Sequence, residues 1–150
     1  MTKSGHRGYA AVGLVNPKNA CNVGSVLRAA YCYDVRLVLL TGGRAAVRSC
    51  ADTPKAYRHI PTLRVNDLHE AVPYDCVPVA VELVPGRAIS LTKYVHPERA
   101  LYVFGQEDGT LGEKVLSWCR DVVYIPTRTC MNLAACVNVV LYDRMVKNDV

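Results

Sequence analysis

The sequence predicts an α/β fold in which a mostly parallel sheet is flanked by helices. Three observations support this prediction. Apolar runs of strand length recur along the chain, segments with helical spacing of apolar residues separate them, and the runs are apolar at every position rather than at alternate ones. Strands of that kind are buried on both faces, as they are in parallel sheets covered by helices.

The first unit of the chain is strand, loop, helix, strand. Gly8–Val15 is an apolar run that ends at the turn signal Asn16–Pro17, and Arg36–Leu40 is a second apolar run. Between them, Asn22 is the predicted N-cap of a helix, because its side-chain oxygen can accept hydrogen bonds from the free amides of the first turn. Such a unit forms a right-handed crossover between parallel strands.

The later elements continue the alternation. The predicted strands are Cys76–Val84, Ala100–Phe104 and Val122–Ile125, and the predicted helices are Val65–Ala71, Leu111–Trp118 and Asn132–Met145. The last helix is apolar nearly all round, so we expect it to be buried on more than one side.

Length and composition indicate one globular domain over residues 1–150, with 51% hydrophobic and 21% charged residues. The apolar runs are too short to span a membrane. The basic stretch Met1–Gly8 has no apolar core after it, so it is not a signal peptide. The net charge of +5 permits a polyanionic partner without requiring one.

The cysteines indicate a reducing compartment. There are seven of them, an odd number, and no pair has C-x-x-C spacing, so neither a zinc site nor a disulfide framework is predicted. We expect them to act as small buried hydrophobes, and we expect the protein to be cytoplasmic and to hold no metal.

The segment 44–64 has two interpretations. It combines clustered basic side chains with Tyr57 and two prolines. It is either a solvated surface with loops, or a basic patch with an interleaved aromatic that suits RNA phosphates and an unstacked base.

Three polar loops follow buried strands, where ligands bind in open α/β sheets. They contain Asn22–Arg28, Gly105–Gly109 and Ile125–Leu133. Arg28 lies in an otherwise apolar helix and needs a partner or a path to the surface. Glu107 is either functional or a cap of the following helix. No G-x-G-x-x-G or G-x-x-x-x-G-K fingerprint is present.

Together the loops resemble the three motifs of the SpoU (TrmH) branch of the SPOUT methyltransferases. Asn22, Gly24 and Arg28 match the pattern N-x-G-x-x-x-R. Phe104–Gly109 is close to F-G-x-E-x-x-G, with its last glycine one residue early, and Ile125–Pro126 with Cys130–Asn132 matches I-P followed by S-M-N. The motifs occur in family order, and the resemblance covers roughly residues 8 to 145.

The resemblance implies a SPOUT-type fold with a trefoil knot near the carboxyl end, a homodimer, and S-adenosylmethionine as the cofactor. It implies a cofactor site lined by Leu83, Gly86, Gly105, Ile125, Cys130 and Met131. Backbone groups of such loops can hydrogen-bond an adenine held in an apolar slot.

The reaction implied by the resemblance is methyl transfer to a ribose 2′-hydroxyl of RNA. The family's catalytic set corresponds to Arg28, Asn22, Glu107 and Asn132. An arginine is effectively always protonated, so we expect Arg28 to bind the neighbouring phosphate and stabilise oxyanion character. Asn22 and Asn132 hold the arginine or the ribose, and Glu107 orients that network or the partner subunit's arginine.

The chain departs from the family at Cys130, where the family has serine. A thiol is a weaker hydrogen-bond donor and acceptor than a hydroxyl, so contacts made there are weakened. Without an added RNA-binding domain, the sequence resembles minimal TrmL-like members that act on tRNA. Ribosomal RNA as the substrate, a non-catalytic RNA-binding module on the same fold, and an unrelated flavodoxin-like or nucleotide-binding α/β protein are the alternatives.

Overall fold

The computed structural model describes residues 8–43, 47, 51–107 and 109–148. The strands are β1 (Tyr9–Leu14), β2 (Leu37–Leu40), β3 (Thr62–Arg64), β4 (Val77–Val81), β5 (Ile89–Ser90), β6 (Arg99–Phe104) and β7 (Asp121–Tyr124). The helices are α1 (Ala20–Cys32), α2 (Gly112–Leu116) and α3 (Leu133–Asn148). Single 3₁₀ turns occupy Ala56–Arg58, His69–Ala71 and Leu91–Lys93.

The strands form one seven-stranded sheet in the order β3-β2-β1-β6-β4-β7-β5. Every neighbouring pair is parallel. The α/β prediction with a parallel sheet is therefore confirmed. Because all strands run the same way, their carboxyl ends share one edge of the sheet, which we call the carboxyl edge; the opposite one is the amino edge.

Alternate residues of the central strands pack on opposite faces, and both faces are buried. On one face, Val12, Tyr102 and Phe104 join the apolar side chains of α1 and α3. On the other, Leu101 and Val103 pack with residues of α2 and its flanking loops. Burial on both faces explains why these strands are apolar throughout.

Two local predictions were wrong at helix starts. The N-cap of α1 is Asn19, not Asn22: Asn19 Oδ1 accepts from the backbone N–H groups of Cys21 at 2.8 Å and Asn22 at 3.3 Å. Val65–Ala71 forms no α-helix and contains only a 3₁₀ turn at its end. Asp67 Oδ1 accepts from His69 N at 2.9 Å, so a local side-chain turn replaces the first helical bonds.

Two short strands were not predicted, and both lie at the edges of the sheet. In β3, Leu63 is exposed, so the strand has no apolar pattern. β5 has two residues and pairs only with β7. The strand predicted over Cys76–Val84 ends at Val81, where the chain leaves the sheet.

The cysteines divide by burial. Cys76 and Cys119 are buried, and burial raises the pKa of Cys119 to about 12, against a smaller opposing effect of Arg87. The exposed ones are Cys21, Cys32 and Cys130. The expectation of buried hydrophobes therefore holds for part of the set, and Cys50 lies outside the described residues.

A buried polar network fixes the carboxyl half of α3 to the loop before β6. Arg144 donates from Nη1 to Pro97 O at 2.6 Å and to the Tyr102 hydroxyl at 3.0 Å, and from Nη2 to Glu98 O at 2.7 Å. The Tyr102 hydroxyl lies 2.7 Å from His96 Nδ1, and His96 Nε2 lies 2.8 Å from Asp143 Oδ2.

The Asp143 carboxylate decides the tautomer of His96 in this network. Because a carboxylate only accepts, His96 Nε2–H donates to Asp143, and Nδ1 of the neutral ring accepts from the Tyr102 hydroxyl, which in turn accepts from Arg144. Burial is the largest influence on His96 and lowers its pKa, although Asp143 opposes the shift. His96 is therefore neutral in the folded protein at neutral pH.

Among the helices that the structure describes, none combines the length and the apolar character needed to cross a membrane. Likewise, no cluster of three or more histidine, cysteine, aspartate or glutamate side chains is arranged to bind a metal ion within the described ranges.

Candidate active site

The three polar loops meet because their strands are neighbours with aligned ends. Leu14 at the end of β1 pairs with Phe104 at the end of β6, and Phe104 pairs with Val81 at the end of β4. Val81 in turn pairs with Val123 of β7. The loops that leave these strands therefore start side by side on the carboxyl edge.

A chain of side-chain hydrogen bonds connects one residue from each motif. Asn132 Nδ2 donates to Asn22 Oδ1 at 3.2 Å, and Asn22 Nδ2 donates to Glu107 Oε1 at 3.0 Å. The paired residues are 110 and 85 positions apart in the sequence. The structure thus brings together three of the four predicted catalytic residues.

The orientation of each amide in this chain is determined by its partners. Asn132 Oδ1 accepts from the backbone N–H groups of Ala134 at 2.9 Å and Ala135 at 3.3 Å, as an N-cap of α3 does. Its Nδ2 group is therefore the one directed to Asn22. Because an ionised carboxylate only accepts, Asn22 must direct its Nδ2 group to Glu107.

Glu107 is ionised in this setting. Partial burial is the largest single influence and raises its pKa, but the hydrogen bonds from the Asn22 amide and from backbone N–H groups, including that of Lys18 at 3.3 Å, together outweigh it. The net effect holds the pKa of Glu107 below its ordinary value. Glu107 therefore anchors the network as a carboxylate and does not cap α2, which starts at Gly112. Its neighbour Asp108 lies outside the described residues.

Arg28, the fourth predicted catalytic residue, is not part of this network. It lies on α1 six residues after Asn22, which places it roughly 9 Å along the helix axis and about 240° around it. Its side chain is exposed and makes no hydrogen bond or ion pair with any described residue. It reaches the surface rather than a buried partner, so its guanidinium is open to a ligand.

The predicted cofactor residues all lie at the carboxyl edge. They follow β4 (Leu83, Gly86), β6 (Gly105) and β7 (Ile125, Cys130, Met131). Leu83 is 66% exposed, and Ile125 and Met131 are half-buried, so apolar side chains are available at a surface. Gly86 has φ +78°, a conformation that disfavours any side chain.

The loop before α3 also offers unpaired backbone donors. Within the described residues, the N–H groups of residues 127–131 donate no hydrogen bond to the protein. Apart from Met131 these residues are exposed. An apolar surface bordered by free backbone N–H groups is the usual composition of a site for a heterocyclic ligand.

Glu82 is a residue of this site that sequence reasoning missed. Its Oε1 and Oε2 both lie 3.2 Å from Leu111 N, so it ties the loop after β4 to the end of the loop after β6. Burial, the larger influence, raises its pKa against the Leu111 hydrogen bond. The only available signal was an acidic residue at the end of an apolar strand.

The matching family model is described as the SpoU rRNA methylase family and covers residues 9–142. None of the curated proteins compared matches the sequence. Solved structures do match by fold. One is the SpoU methyltransferase AviRb from Streptomyces viridochromogenes, with a TM-score of 0.83, 19% identity, and coverage of 97% of this chain and 62% of that one.

Two further structures are informative. An AdoMet-bound rRNA methyltransferase from Sinorhizobium meliloti has a TM-score of 0.82 and 18% identity, covering 93% of this chain and 56% of that one. A structure described as giving insight into "2-OH methylation of C/U34 on tRNA" has a TM-score of 0.78 and 21% identity, covering 95% of this chain and 92% of that one.

The chain thus spans about three fifths of the length of the first two structures. At these identities the structural likeness shows the fold, and the family model, which matches most of the chain, shows the family. The three polar loops that meet at the carboxyl edge lie within the matched residues. The chain belongs to the SpoU rRNA methylase family.

Proposed function

We propose that this protein is an S-adenosylmethionine-dependent methyltransferase that methylates a ribose 2′-hydroxyl of tRNA. The observation that carries the proposal is the hydrogen-bonded chain Asn132–Asn22–Glu107, which joins the three family motifs into one polar cluster. A catalytic or binding site needs hydrogen-bond donors and acceptors that are held in fixed positions, and a cluster of residues far apart in the sequence provides them.

The residues present fit S-adenosylmethionine. Leu83, Ile125 and Met131 offer apolar contact to an adenine, while the free N–H groups of residues 127–131 can donate to ring nitrogens or to the carboxylate. When bound, the cofactor supplies a methyl group carried on a sulfonium. Cys130 stands in this loop where the family has serine, and its thiol is exposed to the same space.

The chain's own residues position the ribose and manage charge. Glu107 holds Asn22, and Asn22 holds Asn132, so both amides are fixed before RNA arrives. Arg28 binds the phosphate next to the target and stabilises negative charge on the attacking 2′-oxygen. The proton of the hydroxyl passes to an oxygen of that phosphate as the methyl group is transferred.

Arg28 acts, in this proposal, at the active site of the partner subunit. It lies on a different side of α1 from Asn22, and its side chain is directed to solvent. A homodimer that covers this face brings the guanidinium of one protomer to the hydrogen-bonded chain of the other. The proposal includes the trefoil knot and the single domain implied by the family resemblance.

tRNA is preferred over ribosomal RNA as the substrate because a fold relative described in terms of tRNA methylation is matched over most of its own chain. The structure described in terms of tRNA is matched over 92% of its chain, whereas the AdoMet-bound rRNA methyltransferase is matched over 56%. We also propose a cytoplasmic location, in keeping with the exposed free thiols of Cys21, Cys32 and Cys130.

The function is tested by incubating the protein with labelled S-adenosylmethionine and unmodified tRNA or ribosomal RNA. We expect label in tRNA, recovered after digestion as a 2′-O-methyl nucleoside and lost when the target carries a 2′-deoxyribose. Label on a base contradicts the ribose assignment, and label only in ribosomal RNA supports the first alternative. No binding of S-adenosylmethionine by calorimetry contradicts the enzyme and favours a non-catalytic RNA-binding module.

The homodimer gives a second prediction. On α3, Val139, Tyr142, Met145 and Val146 are exposed, so only one side of this apolar helix is buried within a protomer. Tyr142→Asp should weaken dimerisation about tenfold or more, because it places a charge in an apolar interface. Sedimentation at micromolar concentration measures this effect.

The matched control for the dimer is Leu63→Asp. Leu63 is 52% exposed and pairs with Leu39, which packs on the sheet face opposite α3. This variant should leave the dimer intact. A wild-type protein that sediments as a monomer at micromolar concentration contradicts the homodimer, as does a Tyr142→Asp variant that dimerises like the Leu63→Asp control.

A further inference from the structure

A cavity lies at the amino edge of the sheet, on the opposite side from the candidate active site. Its volume is about 410 Å³, within the usual range for small-ligand pockets. It is lined by Tyr9, Tyr31, Asp34, Val35, Arg36, His59, Ile60 and Pro61. Tyr9 begins the six-residue strand β1, whose other end leads to the active site, so the two sites are roughly 20 Å apart.

One wall of the cavity is a pair of stacked rings. Tyr31 and His59 have ring centroids 5.0 Å apart at an interplanar angle of 28°. Both side chains are exposed, with Tyr31 at 45%. An exposed, pre-formed ring pair at a cavity mouth offers a face on which another flat ring can stack.

The ring pair is held on a rigid support. His59 ends the 3₁₀ turn Ala56–Arg58, and the buried carboxylate of Asp52 accepts from Ala56 N at 2.8 Å and Tyr57 N at 3.3 Å. Ile60, the next residue, is buried in the core. The hydrogen bonds to Asp52 and the burial of Ile60 therefore hold the turn in place, so His59 is positioned without a ligand.

The rim of the cavity is cationic. Arg36 Nη2 lies 3.3 Å from Asp34 Oδ2, but both side chains are largely exposed, and such pairs contribute little. The Arg99 guanidinium lies over the ring of Tyr9 at 4.7 Å, and Arg58, the last residue of the 3₁₀ turn, directly precedes His59. Asp34 and Arg36 balance each other among the lining residues, so the excess positive charge beside the cavity comes from Arg99 and Arg58.

We propose that this cavity binds one unstacked nucleotide of the RNA, with its base on Tyr31 and His59 and its phosphate at Arg36. Base stacking on aromatic rings tolerates any sequence, and an arginine supplies the phosphate contact. This assignment rests on the proposed function for the identity of the ligand as RNA. The amino edge of the sheet then binds the RNA strand at a place distinct from the site of methyl transfer.

The test measures RNA affinity directly, using a fluorescent 12-nucleotide oligouridylate and unmodified total tRNA as probes. Tyr31→Ala, His59→Ala and Arg36→Ala should each raise Kd about five- to 50-fold. Tyr31→Phe keeps the ring and should bind as the wild type does. Uridine 5′-monophosphate is added alone and as a competitor. It shows whether the cavity binds a free mononucleotide or binds a nucleotide only within an RNA strand.

A matched control lies elsewhere on the surface. Arg120 pairs with Asp121 at 3.1 Å and is exposed to nearly the same extent as Arg36. Arg120→Ala should change Kd less than twofold. The assignment is overturned if the cavity variants bind RNA as tightly as the Arg120→Ala variant does. It is also overturned if the protein binds the mononucleotide strongly while the cavity variants leave its RNA affinity unchanged.

Failure of this assignment is distinguishable from failure of the proposed function. Calorimetry with S-adenosylmethionine reports the carboxyl edge, and we expect identical affinities for the wild type and for all the cavity variants. Loss of RNA affinity in a protein that transfers no methyl group still supports the nucleotide cavity. Full methyl transfer with unchanged Kd in the cavity variants contradicts the cavity and leaves the methyltransferase intact.

Discussion

Arg28→Ala should reduce methyl transfer to tRNA about 100-fold or more, the usual cost of removing a donor that stabilises developing charge on oxygen. Arg28 is exposed and has no protein partner among the described residues, so its removal leaves no buried group unsatisfied. Fold and S-adenosylmethionine affinity should therefore be unchanged. The measurements are single-turnover methyl transfer, thermal unfolding and calorimetry.

Two variants sharpen this prediction. Arg28→Lys retains the charge but loses the planar fork that suits a phosphate, so its rate should lie between those of the wild type and the alanine variant. Arg120→Ala removes an exposed arginine at the start of β7, on the amino edge, and should keep the full rate. An alanine variant of Arg28 as active as Arg120→Ala would show that the assigned role is wrong.

A heterodimer tests whether Arg28 acts across the dimer. A dimer of one Arg28→Ala protomer and one Asn132→Ala protomer, purified with two different tags, has one intact composite site if Arg28 reaches the partner. It should then show about half of the wild-type rate. If Arg28 serves its own protomer, both sites carry a defect, and the heterodimer should be as inactive as the two homodimers.

The meeting of Asn22, Glu107 and Asn132 was predictable because of one general property. Each follows an apolar run, and the carboxyl ends of parallel strands lie at one edge of a sheet. Their hydrogen bonds were not predictable from spacing, since they link residues 85 and 110 positions apart. The family motifs supplied the expectation, and the aligned ends of β1, β6, β4 and β7 are its physical basis.

The errors come from places where neighbours in space decide the structure. Asn19 and Asn22 are equally suitable caps in the sequence, but Asn22 is held by Glu107, which leaves the cap to Asn19. β3 and β5 are short edge strands that owe their form to pairing with β2 and β7 rather than to an apolar pattern. Neither effect can be predicted from the neighbouring residues in the sequence.

α3 is the element where burial was hardest to predict. Its sequence is apolar nearly all round, yet Tyr142, Met145 and Val146 are exposed in the protomer. Arg144, a charged residue among them, is buried. A count of apolar residues does not predict the burial of Arg144, because it does not show that Arg144 lies opposite the backbone carbonyl groups before β6. The exposed apolar residues form the face that the proposed dimer covers.

Arg144→Ala should therefore be the most destabilising substitution on α3 outside its apolar face. It removes three hydrogen bonds, to Pro97 O, Glu98 O and the Tyr102 hydroxyl. Hydrogen bonds from a charged donor are worth about 1.5–3 kcal/mol each, but water can reach the exposed Glu98. We expect a loss of about 2–4 kcal/mol in the free energy of unfolding, or roughly 4–16 °C in Tm.

Urea unfolding at one fixed protein concentration measures this loss, since the stability of a dimer depends on concentration. Arg144→Lys keeps a donor but cannot reach three acceptors at once, so its stability should be intermediate. Arg120→Ala, at an exposed arginine, should cost less than about 0.5 kcal/mol. If Arg144→Ala is no less stable than Arg120→Ala, then the network under α3 does not anchor the helix. Position 144 would then owe its burial to the packing of its neighbours, and Asn132 at the other end of α3 would depend on the apolar face alone for its placement.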